Sequence, residues 1–271
     1  MAKKPFFSII IPALNEEKYL PKLLGDLCVQ SYQDFEVIVV DGGSRDKTVE
    51  LANTFSNKLP KLTVLTSPRA HVCTQRNLGA KNAKAEVIVF SDADNRLPPY
   101  FLQGIKYQWE KERVDILSPF FQPDISTRAN QNIASAINLF FEMTMSIKPK
   151  YLLEAMIVLS KKSFVSVSGF DESTDYAEGK KLISKLDNAG YKTKSIREPH
   201  YIFSFRRLRK YGALKMATNI AKMELAELLG ADFHAQQAKK LYPMLGGSLF
   251  NKTRKSKNKF IKNIQTLLKD F

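Results

Sequence analysis

Two carboxylates two residues apart, Asp92 and Asp94, follow directly on the apolar, β-branched run Val87-Ile-Val-Phe90. Such a run reads as a buried strand. In a parallel sheet, ligand-binding groups gather just past the carboxyl ends of strands, which is where these acids fall. Two acids so close repel, and a divalent cation relieves the repulsion. Hard oxygen donors on a loop suit Mg²⁺ or Mn²⁺, and such a cation would in turn hold a diphosphate. The same decapeptide, Glu86 to Asn95, also fits an ordinary Asp-rich turn. Which reading holds depends on what other strand ends bring beside it.

Other strand-turn units carry acids in the same way. Phe6 to Ile11 predicts a first strand, followed by Asn15 as helix cap, with Glu16 and Glu17 in the first turn. Glu36 to Val40 predicts a second strand ending in Asp41-Gly-Gly-Ser44, and Leu62 to Thr66 a third. Helices are expected over the Leu20 to Cys28 periodicity, to about Asn57, over Thr74 to Lys84, and from Pro98-Pro99 to about Arg113. Val114 to Ser118 reads as a further strand. Strands alternating with helices imply parallel pairing through right-handed crossovers. Glu16, Asp41, Asp92 and Asp94 would then share one sheet edge. No Gly-x-Gly-x-x-Gly follows the first strand and no Gly-Lys-Ser/Thr loop occurs, which argues against dinucleotide-binding and P-loop domains.

The elements that must position these residues fit within a single folded chain. At 271 residues, 44% hydrophobic and 25% charged, the sequence suits one large core with an appendage. Cys28 and Cys73 form no metal-site spacing and read as small buried residues in a reducing compartment. Lys3-Lys4 and the short apolar run after it read as a strand, not a targeting signal, because Pro12 cuts the run. No run approaches the roughly 18 apolar residues needed to span a bilayer.

The second half changes character. Asn130 to Ile147 predicts an amphipathic helix and Ala155 to Leu159 a strand, followed by the turn Gly169-Phe-Asp-Glu172. A helix from Glu178 to Ala189 and a strand from Tyr191 to Ile196 lead to Glu198-Pro-His200. Of the net charge of +15, the segment 206–271 contributes +11. Its last stretch places Phe260, Ile264, Leu267 and Phe271 at helical spacing after the basic cluster Lys252 to Lys262. That pattern fits an interfacial helix on an anionic membrane, or a C-terminal helix packed on the body with its basic face in water. Nucleic acid is disfavoured, since interleaved aromatics and a recognisable motif are lacking.

Five segments, in order, resemble the family 2 glycosyltransferases of GT-A fold. They are Ser8-Ile-Ile-Ile-Pro-Ala-Leu-Asn-Glu-Glu17, Val39-Val-Asp-Gly-Gly-Ser-Arg-Asp-Lys-Thr48, Gln75-Arg-Asn-Leu-Gly-Ala80, Phe90-Ser-Asp-Ala-Asp94 and Gly169-Phe-Asp-Glu172. The resemblance implies a Rossmann-like α/β/α sandwich with a mostly parallel sheet over 1–205. Residues 1–128 would form the nucleotide-sugar half and 129–205 the acceptor half, with 206–271 a basic helical extension. It also implies a UDP- or GDP-hexose donor and inversion by a single in-line attack. Carried over, Pro12, Ala13 and Glu16 line the nucleoside pocket and Asp41 meets the base or ribose. Asp92 lies near the ribose or sugar. Asp94, with His200, holds a divalent metal on the diphosphate. Arg69 and Arg76 are expected donor contacts, since arginine suits bidentate phosphate recognition.

One departure stands out. Family members carry Glu-Asp after the Gly-Phe-Asp-Glu turn, and a carboxylate there serves as base. This chain reads Asp175-Tyr-Ala-Glu178-Gly179. Glu178 is the first expected base and Asp175 the second. An acceptor that is already an anion, such as a polyprenyl phosphate, would need neither. The expected activity is hexosyl transfer to a glycan or lipid-linked acceptor at the cytoplasmic membrane face. The competing expectation, prompted by Gly179, is an idle domain that binds a membrane surface or a protein.

Overall fold

The computed structural model describes residues 3–146, 152–174, 178–212 and Gly247. The elements run β1 (Phe7–Ala13), α1 (Leu20–Cys28), β2 (Phe35–Asp41), α2 (Thr48–Asn53), β3 (Leu62–Thr66), α3 (Val72–Asn82), β4 (Val87–Ser91) and α4 (Phe101–Glu112). They continue with β5 (Ile116–Pro123), α5 (Arg128–Thr144), β6 (Met156–Ser160), α6 (Lys161–Ser166), α7 (Glu178–Asn188), β7 (Thr193–Phe203) and α8 (Arg206–Tyr211). Among the described residues, seven strands form one sheet in the order β3-β2-β1-β4-β6-β5-β7. β6 runs antiparallel to both neighbours, and the other pairs are parallel.

The central strands are buried along their whole length, which is why they read as continuous apolar runs. Side chains alternate between two cores. Phe7, Ile9 and Ile11 pack with Leu20, Leu23, Leu24 and Leu27 of α1 and with Phe101 and Ile105 of α4. Ile10, Ile38, Val40 and Phe90 face the other way, onto Cys73 and Ala80 of α3, Phe164 of α6 and Leu182 and Leu186 of α7. This is the expected α/β/α sandwich. Helix α3 lies very close to β1, and a Cβ on Gly79 would collide with Ile10 Cγ2. That close approach sets Gln75 and Arg76, one turn earlier on α3, against the ends of β1 and β4.

Three local expectations are corrected. Helix α6, capped by the Ser160 hydroxyl accepting from the Ser163 N–H at 3.0 Å, was not anticipated. Asn15 is not a helix cap. Tyr19 holds that position, and Asn15 sits in the left-handed region at φ 54°. β7 does not stop at Ile196 but continues to Phe203. It passes an irregularity opposite Pro119/Phe121 and re-pairs Tyr201 to Phe203 with Phe121 to Pro123. The cis Glu198-Pro199 bond and His200 therefore lie inside the strand, not after it. The basic amphipathic segment from Lys252 onward lies outside the described residues.

Candidate active site

The carboxyl ends of β1 and β2 are tied together before any acid is placed. The Ala13 carbonyl accepts from the Gly42 N–H and from Gln75 Nε2, each at 2.9 Å, and Gln75 also donates to the Val40 carbonyl at 2.7 Å. Pro12 and Ala13 thus stand on fixed backbone beside Val40 and Asp41. The Asn15 N–H donates to Ser44 Oγ, and Asn15 Oδ1 accepts from the Arg45 N–H, both at 2.8 Å. Its left-handed turn joins the two loops. Asp41 Oδ2 accepts from the N–H groups of Gly43 and Ser44 at 2.9 and 3.0 Å. Asp41 Oδ1 is buried and has no partner among the described residues. A buried carboxylate oxygen without a donor is costly, and a ligand N–H or O–H would satisfy it.

Past β4, Asp92 and Asp94 part company. Asp92 Oδ1 accepts from Arg76 Nη2 at 2.9 Å. Arg76 is only 2% exposed; its Nη1 donates to Glu178 Oε1 at 3.3 Å and its Nη2 to the Glu154 carbonyl at 3.2 Å. Its Cζ lies 5.2 Å from the Phe170 ring centroid. Asp94 turns the other way. Its Oδ2 is 2.7 Å from Arg206 Nε, while Arg206 Nη1 and Nη2 donate to the two Glu16 oxygens at 2.9 and 2.7 Å. The Tyr19 ring lies 4.7 Å from that guanidinium. Burial pushes the Asp94 carboxyl up to about 7; Arg206 pulls it back, and the charges of Asp92 and Glu16 push it further. Burial raises Glu16 as well, against the pull of Arg206.

The position of Arg206 follows from β7. The N–H groups of Arg96 and Ile202 donate to each other's carbonyls at 3.0 and 2.9 Å. In that antiparallel bridge Ser204 falls opposite Asp94, and Arg206 lies two residues further on. The sequence reading placed Arg206 at the start of the extension; the structure wires it into the site. Nearby, the Tyr201 and Ser204 hydroxyls are buried without partners among the described residues.

Glu178 opens α7 and is buried beside Arg76. Asp175 lies outside the described residues. Arg69, expected at the donor, is engaged elsewhere. Its Nε donates to Thr74 Oγ1 at 2.9 Å, and its Nη2 donates to the Glu172 carbonyl and Oε2 at 3.1 and 3.0 Å. Asn77 Nδ2 donates to Glu172 Oε1 and to the Phe170 carbonyl at 3.0 and 2.9 Å. The Gly169 to Glu172 turn is thereby clamped to α3. Two participants were missed in the sequence: Gln75 stood in a quoted motif without a role, and Glu154 carried no local signal.

His200 does not join Asp94. The same β-bridge carries His200 opposite Pro98, on the far side from Asp94. Its Nδ1 faces Glu198 Oε1 at 3.0 Å and its ring meets Phe120. Among the described residues, no three His, Cys, Asp or Glu side chains form a metal cage. Magnesium-type sites need no such cage, since one or two carboxylates plus substrate phosphates suffice. Asp94, a buried hard-oxygen donor already matched to a cation, fits that description, while His200 does not. An open recess lined by Lys3, Phe6, Glu86, Trp109 and Arg113 lies at the opposite, amino end of β1 and β4 and shares no residue with this site.

Comparison with known proteins agrees with this geometry. Residues 8–164, more than half of the chain, match the model of Glycosyl transferase family 2. TarS of Staphylococcus aureus, a poly(ribitol-phosphate) beta-N-acetylglucosaminyltransferase, is 32% identical over 114 residues, 41% of this chain and 20% of its own length. A PGL/p-HBAD biosynthesis glycosyltransferase of Mycobacterium bovis is 38% identical over 94 residues, 34% of this chain and 37% of its own length. The matched region therefore spans well under half of these curated relatives. Among solved structures, TarS 1-349 in complex with UDP-GlcNAc superposes with TM-score 0.62 at 21% identity, over 90% of this chain and 71% of that one. The mannosyltransferase PcManGT of Pyrobaculum calidifontis, in complex with GDP-Man and Mn²⁺, gives 0.63 at 18% identity, over 80% and 62%. The fold is that of the GT-A glycosyltransferases, and the chain belongs to glycosyl transferase family 2.

Proposed function

We propose that this chain is an inverting glycosyltransferase that moves a hexose from a UDP- or GDP-sugar to a hydroxyl of a glycan or lipid-linked acceptor. One observation carries the reading. Glu16, Asp41, Asp92 and Asp94 come from the ends of three adjacent parallel strands, and two guanidiniums, the buried Arg76 and the part-buried Arg206, stand among them. The complexes of the structural neighbours with UDP-GlcNAc and with GDP-Man and Mn²⁺ support this donor class.

Each group has a task in that reaction. Asp41 Oδ1 accepts from the base or the ribose. Asp92, held by Arg76 but 35% exposed, faces the ribose or the sugar. Arg206, on Glu16 and Asp94, marks where positive charge collects at the diphosphate. Asp94 would hold a Mg²⁺ or Mn²⁺, which would supply Lewis-acid neutralisation of the leaving group. The acceptor hydroxyl loses its proton to a carboxylate as it attacks the anomeric carbon, and the bond to the diphosphate breaks with inversion. Glu178, at the head of α7 and paired with Arg76, belongs to the group of carboxylates that serves this step.

The basic tail supports a second part of the proposal, a working position on anionic lipid at the cytoplasmic membrane face. Each Lys or Arg near such a surface contributes about 1 kcal/mol. The full chain should sediment with phosphatidylserine vesicles, and a chain ending before Lys252 should not. Equal partition of the two would reject the anchor.

For the activity, purified protein with Mn²⁺ should release UDP or GDP from UDP-N-acetylglucosamine or GDP-mannose. Asp92→Asn and Asp94→Asn should each lower the rate by about 10²-fold or more, the usual cost of one electrostatic contact at a reacting centre. Release from neither donor, or rates unchanged in both variants, would favour the idle binding module.

A further inference from the structure

The residue after Glu178 is a glycine, and the volume beside it is filled from another part of the chain. A Cβ on Gly179 would collide with Glu154 Cγ and stand 2.7 Å from its carboxyl carbon and 2.9 Å from Oε1. Glu154 therefore holds a carboxyl where a side chain at position 179 would otherwise project. Its Oε1 accepts from the Lys180 N–H at 3.2 Å, and its carboxyl shares a hydrogen bond with that of Glu178. Arg76 touches both residues, through Glu178 Oε1 at 3.3 Å and the Glu154 carbonyl at 3.2 Å.

Topology explains how Glu154 arrives there. It stands two residues before β6, the antiparallel strand, whose amino end pairs with the carboxyl end of β4 at Met156 and Ser91. The Asp92 N–H donates to the Ala155 carbonyl at 3.0 Å, so Glu154 is next to a residue tied directly to the β4 acids. As a whole residue Glu154 is partly exposed, while its carboxyl is enclosed beside that of Glu178.

We propose that Glu154 receives the proton of the incoming acceptor hydroxyl, with Glu178 and Arg76 as its fixed neighbours. This rests on the glycosyltransferase reading above. The acceptor O–H bond breaks and its proton moves to a Glu154 carboxylate oxygen. The acceptor oxygen forms the new bond to the anomeric carbon. The pair of electrons in the old carbon–oxygen bond leaves with the nucleoside diphosphate. Glu154 then returns its proton to water.

The surroundings suit a base stronger than an ordinary carboxylate. Burial and the Glu178 charge raise the proton affinity of Glu154 well above the usual carboxylate range. Arg76 and the backbone N–H after Glu178 work against that rise. Cys73, across on α3, also lies within its field. A base that titrates nearer the working pH transfers protons more effectively.

The test has three arms on the full chain. Calorimetry with UDP and GDP in Mn²⁺ reads the donor site. Hydrolysis of UDP-N-acetylglucosamine or GDP-mannose, with water as acceptor, reads the base. Thermal unfolding reads the volume claim. Glu154→Gln should leave nucleotide affinity within about twofold and lower kcat by about 10²-fold or more. It should also abolish the acid limb expected of the wild type above the ordinary carboxylate range. Gly179→Asp alone should lower Tm, and adding Glu154→Ala should restore Tm and part of kcat by returning a carboxylate to the same volume. Wild-type kcat and acid limb in Glu154→Gln, with nucleotide bound normally, would overturn this proposal and leave the transferase reading intact. Failure of the wild type to bind either nucleotide would overturn both. If Glu154→Gln does not fold, the double variant decides: a stable double variant with no recovered turnover contradicts the proposal.

Discussion

Asp92 and Asp94 are separated by a single alanine, yet they belong to two different charge clusters. On one side Arg76 answers Asp92, Glu178 and Glu154, all within the sandwich. On the other, Arg206 answers Asp94 and Glu16. Arg76 comes from α3, an 11-residue helix locked against β1. Arg206 comes from α8, a six-residue helix beyond the last strand with no buried residue. The same ion-pair chemistry thus serves two purposes. The Arg76 cluster is scaffold that fixes Asp92 and Glu178. The Arg206 cluster balances Asp94 and Glu16 at the edge where the donor is proposed to bind.

Removing each arginine should separate the two. Arg76→Ala leaves Glu178 without its buried counter-charge and should cost about 3–5 kcal/mol in urea unfolding. A loss below about 1 kcal/mol would deny that the cluster is scaffold. Arg206→Ala should cost less, and the loss should be reversible. Millimolar Mn²⁺ should restore stability to Arg206→Ala, by about 2.7 kcal/mol at a hundredfold excess over its Kd, but not to Arg76→Ala. Equal response of the two variants would erase the distinction.

The smallest effect concerns pH. Glu154 has its proton affinity raised in the folded state. Between the ordinary glutamate value, about 4.3, and that raised value, the native chain binds a proton the unfolded chain has lost. Stability therefore falls as pH rises through this window, at up to about 1.4 kcal/mol per pH unit. Glu154→Gln should flatten that slope, and an unchanged slope would place the titration elsewhere.

The donor edge was legible in the sequence because parallel strands carry their carboxyl ends to one side. Once Phe6 to Ile11, Glu36 to Val40 and Val87 to Phe90 read as strands, Glu16, Asp41, Asp92 and Asp94 had to gather. The acceptor side was less legible, because β6 breaks that rule. In an antiparallel strand the amino end faces the active edge, so Glu154 counts and a sequence-local signal does not exist. Arg197-Glu-Pro199 reads as the end of a strand, yet pairing with β5 carries β7 on to Phe203. That extension moved His200 away from Asp94 and put Arg206 in its place. Asn15 looked like a helix cap because its amide can accept from a backbone N–H; it does so, but from Arg45 across the loop.

The central claim is that the edge between Arg76 and Arg206 binds a nucleoside diphosphate with a cation on Asp94. Titration calorimetry of UDP and GDP, with and without Mn²⁺, tests it on the wild type and on Asp94→Asn. The account predicts that one nucleotide binds, that Mn²⁺ tightens binding, and that Asp94→Asn abolishes the Mn²⁺ effect. Binding to neither nucleotide, or an Mn²⁺ effect that persists in Asp94→Asn, would contradict it.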